Sequence, residues 1–136
     1  AENLAERYER LEDLRLFIIE RLNEEPFRWG WGPPHAAEDI LGASRAHIRT
    51  RTGLVPWSKV DTAQMLKFFR KYLSSRKIKL KELAKQNLAA AIFCYENGGE
   101  EAARKFADKA IDYSRFIRTD VRRLLPFDEE DTPAFP

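Results

Sequence analysis

Sulfur and imidazole are scarce in this chain. One cysteine, Cys94, and two histidines, His35 and His47, occur among 136 residues. A lone cysteine closes no intrachain disulfide. The three residues together are too poor a set for a zinc site, so neither a metal nor another cofactor is expected. No apolar run approaches the ~20 residues that cross a membrane, and the mean hydropathy is -0.56. The first residues lack the short apolar core of a secretion signal. P-loop, GxGxxG, HExxH and EF-hand strings are all missing. A nucleophile, a base and an orienting group would have to come from Cys94, two histidines and scattered acids. Cys94 stands beside Ile92, Phe93 and Tyr95, the setting of a small buried hydrophobe. An enzyme is therefore not expected, and no small-molecule substrate is assigned.

What is present is core-forming material and charge. Hydrophobic residues make up 43% and charged residues 34%. That excludes wholesale disorder and suits one ordinary domain, or a small domain with arms. The 24 Lys+Arg against 22 Asp+Glu leave a net charge of only +2, yet the charge is unevenly spread. Residues 1–25 hold four basic and eight acidic groups, net −4, and residues 26–44 carry −1. Residues 45–85 hold twelve basic groups against Asp61 and Glu82, net +10. Residues 86–127 carry +1, and residues 128–136 carry −4. A concentrated basic segment between acidic ends points to an anionic partner. Arg (15) exceeds Lys (9), and Asn, Gln, Met and Cys are few. Such usage suits a thermophile, although many mesophilic proteins share it.

Helical periods recur along the chain. Leu4, Tyr8, Leu11, Leu14, Ile18 and Leu22 predict a helix over 2–24, ended by Pro26. The stretch from Pro26 to Pro34 mixes three prolines and two glycines with Phe27, Trp29 and Trp31, which forbids a regular helix or a central strand. Three roles stand open for its aromatics: a plug in the protein's own core, an arm docking on a neighbouring subunit, or a base-stacking surface. Residues 36–51 predict a second helix with the stripe Ala37, Ile40, Leu41, Ser44 and Ile48. Arg45 and Arg49 share another side of it, with Arg51 nearby. Ser58 to Asp61 has the form of a capping box, and no proline or glycine follows until after Glu96. A single helix of roughly 50 Å is expected there, with Ser74-Ser75 as its one weak point. Asn97-Gly98-Gly99 predicts a stop. A final helix is expected to reach Leu125, packed as an antiparallel hairpin through Ala89 to Ala91 and Ala103, Ala107 and Ala110.

On the predicted long helix, a step of ~100° per residue places Lys67, Arg70, Lys71, Lys77, Lys81 and Lys85 in one arc of roughly 120°. Like charges four residues apart repel by a few tenths of a kcal/mol each. An external anion would offset that repulsion. Duplex DNA offers a negative charge every ~1.7 Å of its axis. The same face also suits plain solvation, an anionic membrane or an acidic protein.

The N-terminal helix, the aromatic break Phe27 to Pro34, the arginines at 45 and 49, the basic rod over 62–96 and the Gly98-Gly99 hairpin together resemble the major capsid proteins of filamentous and rod-shaped archaeal viruses. The resemblance implies small helical subunits that encase linear DNA, often as pairs of related chains. Residues 62–125 are also similar to membrane-remodelling proteins of the ESCRT type. The expected fold is all-α: an N-terminal arm and hinge over 1–34, a helical domain over 35–127 and an acidic irregular tail over 128–136. The expected function is a structural nucleoprotein subunit that coats and packages nucleic acid, double-stranded DNA first, without sequence preference in an oligomeric or filamentous assembly such as a capsid, in a virion or inside a cell. It would hold the nucleic-acid backbone through Arg45, Arg49, Arg51, Lys67, Arg70, Lys71, Lys77, Lys81 and Lys85. Phe27, Trp29 and Trp31 would contact copies of itself or a related chain. The alternative is a soluble helical interaction module that binds an acidic protein or membrane surface.

Overall fold

The period of Leu14, Ile18 and Leu22 builds α1, Glu2–Glu24, and buries those three side chains. Leu4 and Tyr8, on the same predicted seam, stay exposed. The structure, a computed structural model, describes residues 2–127. The expected acidic tail, 128–136, lies outside the described residues. The chain divides into two compact units. One is Glu12–Lys77; the other takes in α1 through Leu11 and the chain from Ile78.

The all-α expectation is overturned in the first unit. After α1 come four strands: β1, Phe27–Trp31; β2, Glu38–Ala43; β3, His47–Thr50; and β4, Leu54–Pro56. They form an antiparallel sheet in the order β1-β2-β3-β4. Residues 36–51 are thus mainly strand, for reasons visible in the chain. Gly42 weakens a helix interior. The Ser44 Oγ accepts the Ala46 and His47 N–H groups, each at 3.2 Å, a side-chain bond that competes with helix. Ile48 and Thr50 are buried while Arg49 and Arg51 are exposed, the period of two of a half-buried strand. Phe27, Ile40 and Thr50 align across the sheet, as do Ala43, Ile48 and Val55. β1 is an edge strand, where glycines and flanking prolines are tolerated.

The expected rod over 62–96 is also absent. It is replaced by α2, Thr62–Tyr72, in the first unit and α3, Leu80–Glu96, in the second. Asp61 caps α2 by accepting the Gln64 N–H at 2.8 Å. Helical dihedrals end at Leu73, where Ser75 Oγ accepts the Lys77 N–H at 3.3 Å. Phe68, Phe69, Tyr72 and Leu73 are buried. Phe68 meets Phe27 and Trp57 at ring separations of 6.2 and 6.3 Å.

The second unit centres on α3, which is buried on most sides from Leu83 to Cys94. Buried Ala89, Ala90 and Ala91 belong to α3, and buried Ala103, Ala107 and Ala110 to α4, Glu100–Tyr113. Small residues let helix axes approach closely, and these two helices pack along each other. The expected single helix over 100–125 breaks at Ser114, which is extended at φ −155° and ψ 110°. Beyond it lies α5, Arg118–Leu124. Arg7 Nε donates to the Leu124 carbonyl at 3.0 Å, and Arg10 pairs with Asp120 at 3.4 Å.

Candidate functional site

The first unit builds a projecting tryptophan out of the aromatic segment. Phe27 turns inward, with its ring 6.2 Å from Phe68 and 6.0 Å from Tyr72. Gly30 is buried, and a methyl group there would overlap the Phe27 ring. Buried Gln64 holds the far end: its Nε2 donates to the Gly30 carbonyl at 2.6 Å and its Oε1 accepts the Gly32 N–H at 3.4 Å. Lys67 Nζ donates to the Gly32 carbonyl at 2.7 Å. With both ends held, the strand bulges between Phe27 and Trp31. Trp29 takes a φ of 58°, the one positive φ at a described non-glycine residue. That conformation costs about 1–3 kcal/mol and persists only where its surroundings impose it. The Trp29 side chain is left 65% exposed.

Asp39 anchors this bulge. Its Oδ1 accepts the Trp29 N–H at 2.9 Å, and its Oδ2 accepts from Arg51 Nε and Nη2, both at 3.2 Å. The Trp29 N–H first, then Arg51 and the charge of Arg28, hold the Asp39 carboxyl below the usual carboxylate range, against partial desolvation. Arg28, Trp29 and Arg51 therefore converge on one carboxylate.

The basic face continues along β3. Arg49 is exposed, opposite Leu54, which is itself 61% exposed. One Arg49 Nη donates to the Leu41 carbonyl at 3.3 Å. Alternate residues of a strand lie about 7 Å apart on one face, so Arg49 and His47 share one face of β3, with Arg51 exposed in the bend just after it. Arg45 stands exposed in the β2–β3 turn and makes no hydrogen bond or ion pair among the described residues. Trp57 Nε1 donates to the Ser44 carbonyl at 2.7 Å and fixes that turn.

Other predicted site residues are placed differently. Lys67 is engaged with Gly32. Lys71 lies 3.8 Å from Glu25 and 5.6 Å from the centre of the Phe27 ring. Arg70 and Lys77 are exposed on or just beyond α2. Lys81 and Lys85 lie on α3, in the other unit. Trp31 is half-buried opposite Glu38. Sequence reading left Arg28 and Asp39 out of the site. An arginine set between two aromatics was the available signal for the first. Asp39 carried no signal until β2 stood beside β1.

Elsewhere the chemistry is quiet. Cys94 is buried, and burial pushes its thiol up to about 11, away from the reactive thiolate. A cavity of about 370 Å³ lies among Arg21, Glu24, Glu25, Tyr72, Ser75 and Lys77. Its arginine is already paired with Glu20 and Glu24 at 3.0 Å. Phe116 is 83% exposed, but the guanidinium over it, at 5.4 Å, is that of its own neighbour Arg115. Among the described residues no cluster of metal-ligating side chains occurs, and no helix is long and apolar enough to cross a membrane. No known family, curated protein or solved structure matches this chain.

Proposed function

We propose that this chain is a structural nucleoprotein subunit that holds a nucleic-acid backbone without sequence preference, through the solvent face of its sheet. The observation that carries the reading is the run of exposed Arg45, Arg49 and Arg51 along β3 and its turns, beside exposed Arg28 and Trp29, with the Trp29 N–H and Arg51 sharing the Asp39 carboxylate. Four arginines against Asp39 and Glu38, the latter accepting from Thr52 beside Arg51, leave a local excess of positive charge, the electrostatic footprint of a phosphate-binding surface. Base reading by an arginine needs a free fork aimed at a base edge. The Arg51 fork is occupied by Asp39, so this arginine supplies charge rather than sequence discrimination. A patch of this size meets only a few phosphates, so coverage of a long strand takes many copies of the chain.

Salt dependence tests the reading. The full-length chain should bind unrelated oligonucleotides with similar affinity at low salt. Replacing Arg45 and Arg49 together by Ala should weaken binding. The log–log salt slope should flatten by about 0.7–0.9 for each lost contact. Replacing Lys81 and Lys85 together by Ala should leave affinity and slope as in the parent chain. Equal binding by the Arg45/Arg49 variant would remove the sheet face from the interface.

A further inference from the structure

We infer that Trp29 is a stacking platform for an unpaired base, so that the preferred ligand is single-stranded. This rests on the nucleic-acid reading above and narrows it to one form of ligand. The argument begins with backbone cost. The chain places its one described positive-φ side chain at Trp29, where a glycine would sit without strain. Among the described residues the indole makes no hydrogen bond and no ring contact, and it is 65% exposed, while Phe27 packs on Phe68 and Tyr72 from the same strand. A large apolar ring held outward on a strained backbone makes sense if the ring meets a ligand.

The setting selects the ligand. An indole accepts any base face, because every base has a π surface. Bases offer those faces only when they are unpaired and unstacked. Arg28 adjoins the ring in sequence, and Arg51 shares the Asp39 carboxylate with the Trp29 N–H. A phosphate beside a stacked base would therefore meet the exposed Arg28, the Arg51 charge being offset by Asp39. The bulge is also preorganised: Gln64, Lys67 and Asp39 hold the backbone at Gly30, Gly32 and Trp29. Little backbone entropy remains to be lost when a base docks.

Trp29→Gly separates these ideas. Glycine adopts the φ of residue 29 freely, so the variant should fold with a denaturation midpoint at or above that of the parent chain. Its affinity for a short oligothymidylate should fall roughly 5- to 140-fold, the range for loss of one stacked base. Its weaker binding to duplex DNA should stay unchanged. Trp29→Phe should keep most of the single-strand affinity. An abasic strand of equal length should bind the parent chain as weakly as oligothymidylate binds Trp29→Gly. If oligothymidylate, abasic strand and duplex bind alike, and Trp29→Gly changes none of them while the Arg45/Arg49 variant still weakens all three, stacking is wrong and the backbone reading stands. If no nucleic acid binds, and Trp29→Gly instead abolishes self-association or capture of an acidic protein, both are wrong and the ring is a protein contact.

Discussion

Asp39 serves the fold and opposes the ligand. Its carboxylate accepts the Trp29 N–H and pairs with Arg51, so it positions the bulge. It also places a negative charge in the middle of a surface read as phosphate-binding. Its pKa lies below the ordinary value of 3.8 in the folded chain. Ionised Asp39 therefore stabilises the fold above that value, and the contribution is lost as pH falls through the lowered one. Asp39→Asn should be less stable than the parent chain at neutral pH, and the gap should close as pH drops below about 4. Chemical denaturation midpoints from pH 7 to pH 3 read this directly. A gap independent of pH would assign the role of Asp39 to hydrogen bonding alone. The same variant should bind oligonucleotide more tightly at neutral pH, because an anion has been removed from the patch.

At the scale of elements, β1 carries the site, and its geometry depends on Gly30. Any side chain there meets the Phe27 ring, which is itself packed against Phe68 and Tyr72. Gly30→Ala should cost about 1–3 kcal/mol, the usual penalty of overpacking. It should also weaken binding by shifting Trp29; thermal denaturation and oligonucleotide titration together check both. This strand also shows where sequence reading stops. α1 follows from a period repeated over 23 residues, because helix signals are local. The strands have three to six residues each, and bulges interrupt their register near Trp31 and Gly42. No alternation lasts long enough to be read, since what stabilises them is pairing across the sheet rather than neighbours in sequence. The six-cation arc failed for a related reason. It assumed unbroken helix through Ser74 and Ser75, whereas helical dihedrals end at Leu73. The charge of the segment was legible, but its placement was not. Arg45, Arg49 and Arg51 belong to a strand and its turns, and Lys67 is engaged with the backbone.

For the whole molecule, a net charge of +2 hides a division between the two units. Glu12–Lys77 holds twelve basic and eight acidic groups, net +4, and the remaining residues hold twelve basic and fourteen acidic, net −2. Many of the second unit's cations are matched by acids nearby: Arg104 by Glu100 at 3.2 Å, Lys105 by Glu101 at 3.6 Å, and Arg123 by Glu6 and Asp120. Two of its arginines, Arg115 and Arg122, are exposed and make no ion pair among the described residues. They serve as an internal control on where binding occurs. Chemical modification of arginine followed by mass spectrometry should find Arg28, Arg45, Arg49, Arg115 and Arg122 all reactive in the free chain. Arg51 should be slower, because Asp39 occupies its fork. Saturating oligonucleotide should protect Arg28, Arg45 and Arg49 several-fold and leave Arg115 and Arg122 unchanged. General attraction by the molecule's positive charge would instead slow all five alike, since a diffuse counterion field has no preferred face. Protection confined to Arg115 and Arg122 would move the interface to the other unit. The pattern across these five arginines thus decides between a built surface and charge alone.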